Sequence, residues 1–345
     1  MANSLPPSQY SRENLNSRIN PPRQGEAKGF DIIGDIHGCA HSLERLLAQM
    51  GYKKNRGVYE HPGRQVIFLG DIVDRGPRIR EALALVHSMV ERGSALMVLG
   101  NHEVNALTYC TPLESGSSEY LRAHNTHNNR QIAETLTQFS QHPQEWRDYL
   151  NWFKSLPLYL ELEHSVTQQV FRAVHACWDQ TLIDSYAESY ADPGLTDFFL
   201  RESVKPGTEA ASIKQRLTGG VDLVLPEGMV ICSKDGSTRR AFRTKFWADN
   251  VRTYGELLFQ PDPLPEQIAN TLISHADRAR MVHYDASQPP LFVGHYWLKG
   301  PPRPLMPNLA CLDYSAVKYG RLVAYRMDGE AQLRPEKFVW VYVDP

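Results

Sequence analysis

Five short apolar runs set the rhythm of this chain, each ending in side chains of metal-binding chemistry. Phe30-Asp31-Ile32-Ile33 runs into Gly34-Asp35-Ile36-His37-Gly38, and Val66-Ile67-Phe68-Leu69 runs into Gly70-Asp71-Ile72-Val73-Asp74-Arg75-Gly76. Ala95-Leu96-Met97-Val98-Leu99 precedes Gly100-Asn101-His102-Glu103, Val170-Phe171-Arg172-Ala173-Val174 precedes His175, and Leu291-Phe292-Val293 precedes Gly294-His295. Short apolar runs bounded by turn residues predict buried strands. Open α/β sheets hold their ligands at the carboxyl ends of such strands. Between the runs the spacing turns helical: Leu43, Leu46, Leu47 and Met50 precede Gly51, and Ile79, Leu83, Val86 and Val90 lie between Pro77 and Gly93. Two strand-loop-helix units followed by a third strand predict a largely parallel sheet covered by helices.

The remaining segments are plainer. Residues 1–28 are rich in Ser, Asn, Pro, Arg and Gln and read as a disordered arm. Residues 108–130 are polar and irregular, and His124 and His127 within them read as a solvated loop. Ile132, Leu136 and Phe139, then Trp146, Tyr149, Leu150 and Phe153, predict two helices. Residues 29–345 are expected to form one domain with a subregion inserted around 180–285. Inside it, Met229-Val230-Ile231-Cys232-Ser233, the Asp235-Gly236 turn and the stretch from Arg239 to Trp247 predict a β-hairpin. Alternation along its second strand would put Arg239, Arg243, Lys245 and Trp247 on one face, opposite Phe242 and Phe246. Strands over 310–314, 322–326 and 338–342 are expected as antiparallel neighbours in a second sheet. The expected fold is therefore α/β, with two packed mixed sheets flanked by helices and a site at the strand carboxyl ends.

Composition narrows the function. A formal charge of −2 over 345 residues predicts no general attraction to duplex nucleic acid or to an anionic membrane. Five cysteines, an odd number scattered along the chain, do not make a disulfide framework, so a reducing compartment is expected. No apolar run approaches the roughly 20 residues that span a bilayer, and the chain reads as cytoplasmic. There is no Gly-x-x-x-x-Gly-Lys-Ser/Thr phosphate loop of a nucleotide-dependent kinase or ATPase.

The five strand ends deliver Asp35, His37, Asp71, Asn101, His175 and His295. Carboxylate, imidazole and amide oxygen together suit hard or borderline divalent ions such as Mn, Fe, Zn or Mg. A single histidine after a strand carries little weight; the repetition of the construction carries the argument.

The order Gly-Asp-x-His-Gly, Gly-Asp-x-Val-Asp-Arg-Gly, Gly-Asn-His-Glu, a distal His and Gly-His resembles the calcineurin-like metallophosphoesterase superfamily. It is most similar to the phosphoprotein-phosphatase branch and the bacterial symmetrical diadenosine tetraphosphatases. That resemblance implies two divalent metal ions, Mn first among them, with Asp35 and His37 on one, Asp71 bridging, and Asn101, His175 and His295 on the other. Such a pair activates a shared water for in-line attack on phosphorus. It further implies His102 as general acid, Asp74 as its orienting partner and Arg75 as a phosphate clamp. Tryptophan follows Gly294-His295-Tyr296 where many relatives have a second histidine. His175-Ala176 and the Cys311-Leu312-Asp313 strand resemble the tetraphosphatases, whereas Asp74 and Glu103 resemble the phosphoprotein phosphatases. A phosphorylated substrate is expected, either a phosphoserine or phosphothreonine protein or, alternatively, a dinucleoside polyphosphate. A catalytically silent metal-binding scaffold is the remote alternative. Arg239, Arg243, Lys245 and Trp247 are candidate contacts for an extended substrate.

Overall fold

This computed structural model describes residues 27–190, 194–225, 230–232, 238–259 and 264–343, the side chains of Cys232 and Arg239 excepted. The arm expected over 1–28 lies almost wholly outside the described residues, as does the Asp235-Gly236 turn.

Two sheets form the body. In the first, the strands Phe30–Ile33, Gln65–Phe68 and Ala95–Met97 run parallel, with Ile32 beside Ile67 and Ile67 beside Leu96. The strand Arg321–Met327 closes the other side of Phe30–Ile33 in antiparallel register, and itself pairs with Phe338–Tyr342 and Asp313–Tyr314. The second sheet has the order Leu309–Cys311, Leu291–Val293, Val170–Val174, Tyr159–Glu163, with only the last pair antiparallel. This corrects the expected partition of the C-terminal strands. Asp313–Tyr314, Arg321–Met327 and Phe338–Tyr342 extend the first sheet, because Phe30–Ile33 has an open edge that Arg321–Met327 covers. Leu309–Cys311 alone joins the second sheet.

Alternation along the strands divides the apolar residues between two cores. Ile32, Ile67, Leu69, Val98 and Tyr325 of the first sheet face Phe171, Ala173 and Phe292 of the second. The rings of Phe30 and Phe171 lie 5.0 Å apart there, and those of Phe292 and Tyr325 lie 5.1 Å apart. Ile33, Val66 and Phe68 point the other way, against the helices. Helix Ala40–Gln49 buries Leu43, Leu46 and Leu47 and stops where Gly51 takes φ 94°. Helix Ile79–Glu91 buries Ile79, Leu83, Val86 and Met89. The helices Thr126–Phe139 and Pro143–Ser155 complete this layer, the first starting earlier than its apolar spacing suggests because Asn125 caps it by accepting from Asn128 N.

The stretch between Val174 and Leu291 carries its own apolar cluster, including Leu223, Phe242, Tyr254, Leu257 and Ile268. Ile231–Cys232 pairs with Thr238–Arg239, as the hairpin reading anticipates, but the second strand breaks at Arg240. Ala241–Arg243 instead pairs with Asp222–Val224. Phe246 and Trp247 then leave the strand to pack their rings 5.9 and 4.8 Å from that of Tyr296. The expected common face therefore does not form for Arg243, Lys245 and Trp247; the Arg239 side chain lies outside the described residues. Cys39, Cys110, Cys177 and Cys311 are free, and no helix among the described residues is long and apolar enough to cross a membrane.

Candidate metal centre

The loops after the parallel strands converge on the Asp71 carboxylate. Its Oδ2 lies 3.4 Å from His175 Nε2, 3.6 Å from His37 Nε2 and 3.8 Å from His102 Nε2. Asp71, His37 and His102 form one group with metal-ligating geometry, and Asp71, His175 and His295 form a second. All five are buried. Asn101 Oδ1 lies 3.1 Å from His175 Nε2 and 2.9 Å from His295 Nδ1. Asp35 comes in from the first strand, and both its oxygens accept from the backbone N–H of His295 at 3.2 Å. All six residues of the ligand set expected from sequence thus lie in one cluster, buried but for the half-buried Asn101, with His102 among them.

The imidazoles divide into two kinds by what their outer nitrogens meet. His37 Nδ1 lies 2.8 Å from Val73 O, His175 Nδ1 2.7 Å from Leu69 O, and His295 Nε2 3.0 Å from Gly219 O. A carbonyl can only accept, so each of those nitrogens carries a proton and turns the other toward the centre, where it can present a lone pair to a bound cation. His102 differs: its Nδ1 lies 2.6 Å from the carboxylate Oδ2 of Asp74. Asp74 is itself held by Thr135, whose hydroxyl donates to Asp74 Oδ1 at 2.5 Å and accepts from Asp74 N at 3.0 Å.

The centre is rich in acceptors and poor in donors. Asp71 Oδ2, Asn101 Oδ1, His37 Nε2, His175 Nε2 and His295 Nδ1 all face inward, which is the donor set a divalent cation needs. Asp313 adds a buried oxygen, Oδ2, that meets no donor among the described residues. Charge states follow the same imbalance. Burial opposes ionisation of Asp71, yet the imidazoles of His175, His102 and His37 hold it well below the usual carboxylate range. Burial, with Asp313 next, pushes Asp35 well up, and burial with Asp71 pushes Asp313 up to about 6. Burial, then the neighbouring His102, keeps His37 neutral, and burial, then Arg243 and His175, does the same for His295. His175 goes the other way, to about 10: burial opposes its charge, but Asp71 and Asp35 favour it. A proton on His175 does in part what a cation would do.

The backbone reaches this geometry at a cost. His37, Asp71, Asp74, Arg75 and His295 all have positive φ, between 42° and 70°, a region that disfavours side chains with a Cβ. Glu103 fixes one such loop, accepting from the N–H groups of Asp71, Gly100 and Ile72 at 2.8, 3.0 and 2.7 Å. Gly100 and Gly294 are required for clearance: a Cβ on the first would meet Asp71 Oδ1 at 2.2 Å, and on the second Asp35 Oδ1 at 2.1 Å. At the rim, the exposed Arg75 places Nη1 3.1 Å from His37 Nε2 and its guanidinium 4.9 Å from the ring centre of Trp297. Lys318 approaches the same ring at 3.7 Å.

The hairpin residues are used differently. Arg243 Nη1 donates to His295 O at 3.1 Å, Trp247 packs on Tyr296 and Phe259, and Lys245 Nζ donates to Glu256 O at 3.4 Å. The Arg239 side chain lies outside the described residues. Sequence reasoning missed Thr135, Gly219 and the role of Glu103, because a helix interior gives no signal for a hydroxyl or carbonyl that serves a distant loop. Of these, Glu103 alone carried a hint, beside His102 in the Gly-Asn-His-Glu motif.

Comparison with known proteins bears on this centre. The family model described as calcineurin-like phosphoesterase matches residues 29–211. Over 74 residues the chain is 50% identical to bis(5'-nucleosyl)-tetraphosphatase PrpE [asymmetrical] of Halalkalibacterium halodurans, covering 21% of this chain and 30% of that protein. Over a like stretch it is 42% identical to the protein of the same name from Bacillus subtilis, again 21% of this chain and 30% of the relative. The chain thus spans less than a third of the length of these curated relatives. Among solved structures, a protein serine/threonine phosphatase from Saccharomyces cerevisiae is 13% identical with a TM-score of 0.47, over 97% of this chain and 87% of that one. The cold-active protein-tyrosine phosphatase of a psychrophilic Shewanella is 16% identical with a TM-score of 0.45, over 99% and 87%.

Proposed function

This chain belongs to the calcineurin-like phosphoesterase family of metal-dependent hydrolases, and from that premise we propose that its buried centre holds two divalent ions and hydrolyses phosphate esters and phosphoanhydrides. The observation that carries the reading is the division among the histidines. Three lean on carbonyls and offer lone pairs, while the fourth leans on a carboxylate.

In this proposal Asp35 and His37 would hold one ion, Asn101, His175 and His295 would hold the other, and Asp71 would contribute to both. The ions, when bound, supply Lewis acidity to the phosphoryl oxygens and lower the pKa of a water. The mixed oxygen and nitrogen set makes Mn the first metal to test, ahead of Fe, Zn and Mg. Glu103 keeps the Asp71 loop in register. Arg75, with its planar fork at the rim, binds the oxygens of the transferred phosphoryl group. His102 hands its proton to the departing oxygen, and Asp74 fixes the ring so that Nε2 faces inward.

A nucleotide polyphosphate is the leading substrate class, supported by the tetraphosphatases that share the 74-residue segment. A phosphoserine or phosphothreonine ester is the second reading, favoured by the Asp74–His102 pair, because an alkoxide leaves poorly without an acid. The test is metal content and hydrolysis of p-nitrophenyl phosphate, diadenosine tetraphosphate and a phosphoserine peptide, before and after chelation and on return of Mn²⁺. Anion exchange of the tetraphosphate products separates two ADP from ATP plus AMP. Undiminished turnover by chelated, metal-free protein would overturn the proposal.

A further inference from the structure

Around the half-buried ring of Trp297, at the rim of the centre, the structure gathers positive charge that the metal site leaves unexplained. Lys318 Nζ lies 3.7 Å from the ring centre and the Arg75 guanidinium 4.9 Å from it, while Arg75 Nη1 reaches His37 Nε2 at 3.1 Å. A continuous chain of contacts therefore runs from a candidate metal ligand through Arg75 and the indole to Lys318. Arg75 and Lys318 are exposed to solvent, and so is Lys299, two residues beyond Trp297. Among the described residues none of the three forms an ion pair with a carboxylate, and the Lys318 ammonium donates to no oxygen.

The fold places Lys318 at a cost. It ends the short 3₁₀ turn Ala316–Lys318, and the residues on either side, Ser315 and Tyr319, both have left-handed backbone with φ 57°. Neither is glycine, and such conformations persist where neighbouring bonds enforce them, as at ligand clamps. Here Ser315 N donates to Asp313 Oδ1 at 2.9 Å, and Lys318 N and Gly320 N both donate to Ser315 O, at 2.9 and 3.2 Å. Leu298 N donates to Asp313 O at 3.0 Å, which ties this turn to the loop that carries Trp297. The ring then holds the ammonium by its π face, a contact that uses up no anion and leaves N–H donors free. Partial burial, then Arg75, keeps Lys318 below the usual lysine range, opposed by Asp313, with which it forms no ion pair. Two cations fixed on one ring, open to solvent and without an ion pair of their own, are arranged to receive an anion.

We propose that Lys318, held on the Trp297 ring beside Arg75, binds the phosphate next to the one attacked, so that the preferred bond is a phosphoanhydride. This rests on the phosphoesterase reading above and narrows its substrate class. A monoester brings one phosphate and engages Arg75 alone, whereas a polyphosphate brings the next one a single bridging oxygen away and engages both cations. In the step, a water oxygen bonds to phosphorus while the anhydride P–O bond breaks. Its electron pair stays on the departing phosphate oxygen, which takes the His102 proton, and one water is consumed per bond. Lys318 neither gives nor takes a proton; it binds.

The experiment uses the full chain loaded with Mn²⁺ and compares the parent with Lys318→Gln and the conservative Lys318→Arg. Substrates are diadenosine tetraphosphate, p-nitrophenyl phosphate and a phosphoserine peptide, with a thermal melt to establish that each variant is folded. Lys318→Gln should lose about tenfold or more in kcat/KM on the tetraphosphate, chiefly through KM, and far less on the two monoesters. Lys318→Arg should restore most of the loss. Equal losses on all three substrates, or no loss on the tetraphosphate, would overturn the subsite. A parent that cleaves monoesters but not the tetraphosphate also overturns it, while leaving the phosphoesterase reading intact. If the parent cleaves none of them, that reading fails instead. Calorimetry at buffered free Mn²⁺ then decides the subsite, with methylenediphosphonate and methylphosphonate as two-phosphorus and one-phosphorus probes. Weakening of the first by about tenfold in Lys318→Gln, with far less effect on the second, supports it. Unchanged binding of methylenediphosphonate, or equal weakening of both probes, refutes it.

Discussion

Replacing Asp74 with Asn isolates the acid from the metals. The substitution keeps the shape of the side chain and an oxygen that can face His102 Nδ1, now 2.6 Å from the carboxylate, and it keeps the contact with Thr135. What it removes is the charge. A hydrogen bond to a charged group contributes roughly 1.5 to 3 kcal/mol, about 1 kcal/mol more than a neutral one. Here the bond is short and both partners are buried, so the upper part of that range applies. With the His102 ring no longer held by a charge, a loss of about 1 to 2 kcal/mol corresponds to about 5- to 30-fold in rate. The loss should depend on the leaving group. A nitrophenolate departs with little help, so its rate should fall only a few-fold, whereas an alkyl phosphate should suffer the full effect. The assay is a plot of log kcat/KM against leaving-group pKa for a series of aryl and alkyl phosphates. Asp74→Asn should steepen the slope relative to wild type, and His102→Asn should steepen it further, with metal content unchanged in both. Two parallel lines would refute the acid role and make Asp74 a purely structural brace.

Three further outcomes follow from the same geometry. Asp71→Ala, which removes the carboxylate common to both candidate groups, should lower metal content from about two ions per chain to near zero. Asn101→Ala should retain about one, and elemental analysis of dialysed protein checks both. In chelated protein, His175 has a folded pKa near 10, above its ordinary value, so its contribution to stability is fully present below about pH 6.5 and is lost as pH rises through about 10. Thermal midpoints of chelated protein should therefore fall between pH 7 and 10 and respond less in Asp71→Asn; a flat profile in the parent would contradict the assignment. Arg243→Ala should lower the rate on p-nitrophenyl phosphate and on diadenosine tetraphosphate alike, because Arg243 acts by holding the His295 carbonyl. A loss confined to the tetraphosphate would instead restore Arg243 as a substrate contact.

The centre was largely legible from the chain because its chemistry is local. Asp35 and His37, or Asp71, Asp74 and Arg75, leave a single strand within a few residues, and an apolar run followed by glycine marks each departure. What supports them is not local. Thr135 reaches Asp74 from a helix whose apolar spacing describes only its packing, and Gly219 reaches His295 through a backbone carbonyl that no residue type reveals. The C-terminal strands were recognisable as strands, but their sheet was not, since pairing depends on which edge is open. The hairpin's second strand stops short for a related reason: Tyr296 draws Phe246 and Trp247 out of a strand that their alternation alone would have continued.

The left-handed backbone at His37, Asp71, Asp74, Arg75 and His295 has a bearing on how such a protein drifts. Each of these residues forgoes about 1 to 2 kcal/mol that glycine would not. Together they approach the whole net stability of an ordinary domain, about 5 to 15 kcal/mol. A library selected for heat resistance alone should therefore accumulate Gly and Asn at these five positions, since each change relaxes the chain. The survivors would be robust, well-folded phosphatases in outline with no chemistry left in them. Inert relatives can arise from this scaffold by gaining stability, without any damage to the fold.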